Sequence, residues 1–141
     1  MKKLLSILLF LLVTNSAFAI EYTHFFVIDG QKILLEKAKD KSIGLMGRNS
    51  LAVDTGMVFL YTSYEEESFW MKNTNIPLDI IFLRDGSVVK VYKKLKPCTK
   101  DICKTYPSKG LVNQVIEVNA GFCSEHKIKK GSTIWVQELT K

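Results

Sequence analysis

The chain has 141 residues, a formal net charge of +6 and only three cysteines. That length suits one compact domain with a single core and leaves little room for two. No internal repeat or low-complexity linker divides it.

The N-terminus reads as an export signal. Lys2 and Lys3 form a basic n-region, residues 4–13 an apolar run, and Ala17, Phe18 and Ala19 a small-x-small cleavage site. Cleavage after Ala19 removes residues 1–19, leaves a mature domain of residues 20–141, and lowers the charge from +6 to +4 by taking Lys2 and Lys3. The apolar run is shorter than the roughly 20 residues that span a bilayer, and no later stretch is longer. No transmembrane anchor is therefore expected after processing, and the destination is the periplasm or the exterior. Nucleic acid is a poor partner for such a protein. The clustered lysines 90, 93, 94 and 96, and 127, 129 and 130, lack interleaved aromatics and read mainly as solvated faces, although they would attract anionic lipid or cell-wall polymer.

The mature chain is strand-rich. Residues 22–28 alternate, Asp29 and Gly30 form a tight turn, and residues 31–38 return as the second arm of a hairpin. Asp40 is positioned to cap a short helix over residues 41–48, with Ile43 and Met46 on one face. Asp54, Thr55 and Gly56 turn into residues 57–61, an apolar run with the look of a buried strand. Residues 64–67 form an acidic loop. Residues 68–72 then make a third major strand that sends Phe69 and Met71 to one face and Trp70 and Lys72 to the other. Pro77 ends any continuing ladder for want of a backbone donor.

Residues 79–84 resume as a strand, Asp85 and Gly86 turn, and residues 87–92 pair back. Another β run covers residues 114–118, a second short helix follows from about Asn119 through Lys127, and residues 133–139 make the last strand. Roughly eight strands and two short helices predict a mostly β (α+β) domain: a small antiparallel barrel-like or curled sheet with two peripheral helices.

Cys98 and Cys103 enclose a short loop, and an oxidising compartment favours a disulfide between them. Cys123 is then left over, as a buried thiol or a reactive one. A zinc site of Cys98, Cys103, Cys123 and His126 has suitable ligands, but its spacing repeats no standard knuckle. No metal and no cofactor is expected.

The chemistry gathers at residues 69–79, where hydrogen-bonding and charged groups lie beside the densest apolar stretch. Asp79 follows the proline turn and needs a partner if buried, for which Lys72 and Arg48 are candidates. Trp70 beside Lys72 offers an apolar plate next to a cation. Asn73 and Thr74 are suited to bond their own turn. Glu117 lies among Val115 and Val118, so burial would raise its pKa if no cation pairs with it. Asp79 and Glu117 are the candidate acid and base of a hydrolase, provided that they share a cavity. The serines lack a nucleophile elbow, His24 and His126 lack companions, and no phosphate-cradling glycine loop occurs.

The motifs Gly44-Leu45-Met46-Gly47-Arg48, Gly56-Met57, residues 69–79, and Glu117-Val118-Asn119-Ala120-Gly121 occur in order over about residues 24–138. In this the chain resembles the domain of unknown function 192, also known as uncharacterised protein family 0127. Pro97-Cys98 and Cys103 with Tyr106 are similar to its exported members. The resemblance implies a small β-rich, barrel-like fold and no assigned activity.

Together these features predict a noncatalytic, monomeric exported domain that binds a small molecule or an envelope component. Its candidate ligand residues are Arg48, Trp70, Lys72, Asn73, Thr74, Asp79 and Asn119. The alternatives are an envelope-directed hydrolase using Asp79 and Glu117, and a structural or assembly protein.

Overall fold

The computed structural model describes residues 19–140. Of the predicted signal at residues 1–19, residues 1–18 lie outside them. Among the described residues no helix is long and apolar enough to cross a membrane.

Among the described residues nine strands and one helix follow in chain order. They are β1 (His24–Ile28), β2 (Gln31–Lys37), β3 (Thr55–Glu65), β4 (Ser68–Trp70), β5 (Leu78–Arg84), β6 (Ser87–Leu95), β7 (Thr105–Pro107), β8 (Val112–Asn119), α1 (Phe122–Glu125) and β9 (Gln137–Glu138). Seven of the strands form one sheet in the order β6-β5-β8-β3-β2-β1-β9, while β4 and β7 make a separate two-stranded ribbon. The two Asp-Gly turns close the β1–β2 and β5–β6 hairpins, with positive φ at Asp29, Gly30, Asp85 and Gly86.

The sheet is curled without closing into a barrel. Five strand spacings separate β6 from β1, about 24 Å if the sheet were flat. Yet Thr133 bridges to Ser87 at the β6 edge, and Gln137 pairs with Phe25 on β1. Four residues of extended chain reach only about 14 Å, so the two edges must bend toward each other. The expected long last strand is therefore mostly a strap: only two of its residues pair as β9, while Ile134 and Val136 pack against the core beneath.

The sheet is covered on both faces. One face packs Phe26, Ile33, Leu35, Val58, Ile81, Ile116 and Val118 under α1 and the C-terminal strap. The other packs Met57, Phe59, Leu78, Ile80, Phe82 and Val115 under residues 38–54 and the β4–β7 ribbon. Central strands β3, β5 and β8 are thus buried on both sides, which is why they read as apolar runs.

Three expectations are corrected. Residues 41–47 form successive turns and not a helix, so α1 is the only helix among the described residues. The Asp40 carboxylate does accept from the Ser42 backbone at 2.8 Å, as a cap would. Gly44 and Gly47 then take φ of 51° and 74°, and a right-handed helix cannot continue through that conformation. The acidic loop is shorter than expected, since β3 runs on through Tyr64 to Glu65. The third major strand shrinks to the three residues of β4, because Asn73 at φ 54° turns the chain away.

The connection between β2 and β3 joins a parallel pair. Residues 38–54 must cross over one face of the sheet to make it, which places Leu45 in the core and Gly44 above β8.

Candidate functional site: a cavity above Glu117

The pairing of β5 with β8 sets Asp79 opposite Val118 and Ile80 opposite Glu117. Paired residues share a face and successive residues alternate, so Asp79 and Glu117 project from opposite faces. Asp79 lies on the α1 side and Glu117 on the crossover side. They do not meet in a common cavity.

Asp79 is fully buried and its partners are backbone amides. Oδ1 accepts from Lys94 N at 2.7 Å, Oδ2 from Cys123 N at 2.8 Å, and both lie 3.2 Å from Gly121 N. The carboxylate thus ties the start of α1 to β6 at Lys94, where φ is 51°. The expected cationic partners are elsewhere. Arg48 forms a two-pronged ion pair with Glu36 at 2.7 and 2.6 Å. Lys72 donates to the Asp101 carbonyl at 3.3 Å and stands 5.5 Å from the centre of the Trp70 ring.

Glu117 has the opposite environment. It is 5% exposed, its Oε2 is buried without a hydrogen-bond partner, and burial pushes its carboxyl pKa up to about 8. Such an atom is uncommon in a folded protein. Gly44 passes directly overhead: a Cβ there would lie 2.9 Å from Phe59 Cζ and 3.5 Å from Glu117 Oε2. A positive φ and this close approach both favour glycine at the position.

Above Glu117 opens a cavity of about 370 Å³. Phe59, Phe69 and Leu45 supply apolar wall, Tyr61, Glu67 and Trp70 stand around it, and Thr74 and Lys41 contribute polar atoms. Phe59 and Phe69 meet edge to face at 4.8 Å, and Lys41 Nζ sits 4.2 Å over the Tyr61 ring. Burial, with the Glu67 carboxylate beside it, raises the Tyr61 phenol pKa. Burial likewise raises Glu67 above the usual carboxylate range.

Of the candidate ligand residues, Trp70 and Thr74 line this cavity. Asn73 is held by the disulfide segment, its N–H donating to the Cys98 carbonyl at 3.0 Å. Asn119 donates to the Leu51 and Ala52 carbonyls and pins the crossover. Arg48 lies in a neighbouring groove with Glu36 and Met57. Lys72, Asn73, Asp79, Arg48 and Asn119 are therefore not among the residues lining the cavity over Glu117. Tyr61 and Glu67 were missed. The signal for Tyr61 was its spacing, two and four residues beyond Phe59 and Met57 on the same strand face, and Glu67 carried none.

Cys98 and Cys103 are joined in a disulfide, and Cys123 is a buried free thiol. Two of the four candidate zinc ligands are thereby used, and His126 pairs with Asp29 at 2.7 Å. Burial and the neighbouring Asp79 carboxylate raise the Cys123 pKa well above the ordinary thiol range, so its sulfur is held as an unreactive thiol.

These features define a class: a small, curled β-sheet domain with an acid-floored cavity under a glycine-bearing crossover. The chain belongs to the family described as "Uncharacterized ACR", domain of unknown function 192, whose model matches residues 28–136. No curated protein matches it. Two crystal structures are similar. One, from Sinorhizobium meliloti 1021 and provisionally named a transcription regulator, is 26% identical with a TM-score of 0.70, over 85% of this chain and 97% of that one. The other, a protein of unknown function from Novosphingobium aromaticivorans DSM 12444, is 28% identical with a TM-score of 0.67, over 80% of this chain and 83% of that one.

Proposed function

We propose that this is a noncatalytic exported domain whose cavity over Glu117 binds a small ligand. The observation that carries the reading is the buried, unpartnered Oε2 of Glu117 at a concave, largely aromatic site. Leaving such a group unpaired costs about 1–3 kcal/mol, which a ligand supplying the missing partner recovers. Apolar walls with a few convergent polar groups are the usual make-up of a ligand site. Export through a cleavable signal and a monomeric state complete the reading. The Cys98–Cys103 disulfide supports an oxidising compartment.

A thermal-shift screen of envelope-derived small molecules tests it, repeated with Glu117→Gln, Trp70→Ala and Asp79→Asn. Ligands are expected to raise the melting temperature of the parent and of Asp79→Asn, and to lose much of that effect in the other two. If no compound shifts the parent, or if all variants respond alike, the reading fails.

A hydrolytic reading is favoured by one observation only: Glu67 lines the same cavity as Glu117. Glu67 then takes the role first given to Asp79. Release of product from cell-wall material, abolished by Glu67→Gln, would support it. A purely structural role has the cavity against it.

A further inference from the structure

We propose that the occupant of the Glu117 cavity is an organic cation: an alkyl- or arylammonium head with an apolar body, taking Glu117 as counter-ion and aromatic rings as walls. This rests on the binding reading above and names the ligand's chemistry.

Three observations support it. First, the unsatisfied atom is Glu117 Oε2, which in the ionised carboxyl is an acceptor only, so the partner that form lacks is a donor or a positive charge. Second, the walls around it are aromatic, from Phe59, Tyr61, Phe69 and Trp70. The faces of such rings are negative and attract cations, most strongly where water is excluded. Third, the chain already places an ammonium on one of these walls. Lys41 Nζ stands 4.2 Å from the centre of the Tyr61 ring, on an exposed residue of the crossover turns. A ligand ammonium bound deeper would reach Glu117, which Lys41 leaves unpaired.

The charged and titratable groups facing Glu117 are few. β3 contributes the Tyr61 phenol, the β3–β4 turn Glu67, and the crossover Lys41, β5 presents the apolar Ile80, and beyond Met57 on the same face lies Glu36 of β2, whose charge is met by Arg48. Lys41 offsets Glu67, so Glu117 is left as the uncompensated acid. With its pKa pushed up to about 8, Glu117 is mostly protonated at neutral pH. Binding a fixed cation requires it to ionise, so affinity rises about tenfold per pH unit between pH 6 and 7 and levels off above pH 8. A ligand that accepts a hydrogen bond from the neutral acid would weaken over the same range.

The test uses the purified mature chain with three probes of similar size: benzyltrimethylammonium, benzyl alcohol and benzoate. Calorimetric titration at pH 6, 7 and 8.5 is expected to show binding of the cation alone, with the tenfold rise and then the plateau. Glu117→Gln should bind the cation more weakly and without pH dependence. Should that variant fail to fold, Trp70→Ala at a solvent-exposed wall position should weaken the cation several-fold. If benzyl alcohol or benzoate binds as tightly as the cation, the cationic assignment is wrong while the binding reading stands. If none of the three binds, the cationic assignment is again wrong, and the envelope screen alone then judges the binding reading.

Discussion

Asp79 and Glu117 occupy adjacent strands one position out of register, and their carboxyls project from opposite faces of one sheet. The first is saturated by backbone N–H groups, and the second has a buried oxygen with no partner. Two buried acids so close in the sheet thus have unrelated roles: Asp79 holds the fold together, and Glu117 floors a cavity.

Replacing Asp79 by Ala should therefore act on stability. It strands the amides of Lys94, Gly121 and Cys123 in the interior. Charge-assisted bonds of this kind contribute about 1.5–3 kcal/mol, so the expected loss is about 3 kcal/mol or more in urea denaturation. An unchanged midpoint would contradict the assigned role.

Glu117 should make stability fall with rising pH. Below its ordinary value of 4.5 it is protonated in both folded and unfolded chains. Above that the unfolded chain releases the proton, while the folded chain keeps it to about pH 8. The contribution is therefore fully present below pH 4.5, is lost across this window, and amounts to about 5 kcal/mol. Glu117→Gln removes the slope, so its stability relative to the parent should improve from pH 5 to pH 8.

Gly56→Ala should be poorly tolerated. A Cβ at Gly56 would lie 2.6 Å from the Glu117 carbonyl oxygen and 3.0 Å from side-chain carbons of Leu35 and Val118. Backbone on one side and packed core on the other leave nowhere to move, and overpacking of this kind costs about 1–3 kcal/mol. A lowered melting temperature with an unchanged far-UV spectrum is expected.

The Arg48–Glu36 pair should resist conservative exchange. Arg48→Lys keeps the charge but loses the fork that meets both carboxylate oxygens at 2.7 and 2.6 Å. Arg48 is nearly one-third exposed, which limits the loss to about 1 kcal/mol. A double-mutant cycle with Glu36→Gln should return a coupling of that size.

Thiol counting separates the cysteines. The unfolded, unreduced chain should react at one thiol, Cys123, and the reduced chain at three. The native chain should react at none, because Cys123 is fully buried.

Local chemistry made most of the strands, the two hairpins and the disulfide legible in the sequence, but not β7, which lay within the cysteine loop. Alternation and apolar runs report burial directly, and an Asp-Gly turn needs only its own two residues to take positive φ. Burial of Glu117 was legible for the same reason, from the valines beside it. The helix over residues 41–48 failed because the chain bends at Gly44, where two constraints coincide: the positive φ and the nearness of Phe59 and Glu117. The second constraint comes from strands far away in sequence.

What the sequence determined by itself was therefore an inventory: a β-rich domain, the positions of most of its strands, and two acids in apolar surroundings. The tertiary structure decided how β5 and β8 align. A shift of β5 by one residue there would carry all of its side chains to the other face, placing Asp79 beside Glu117 on the cavity side. The alignment depends on packing both faces of the sheet at once, and no local segment encodes it.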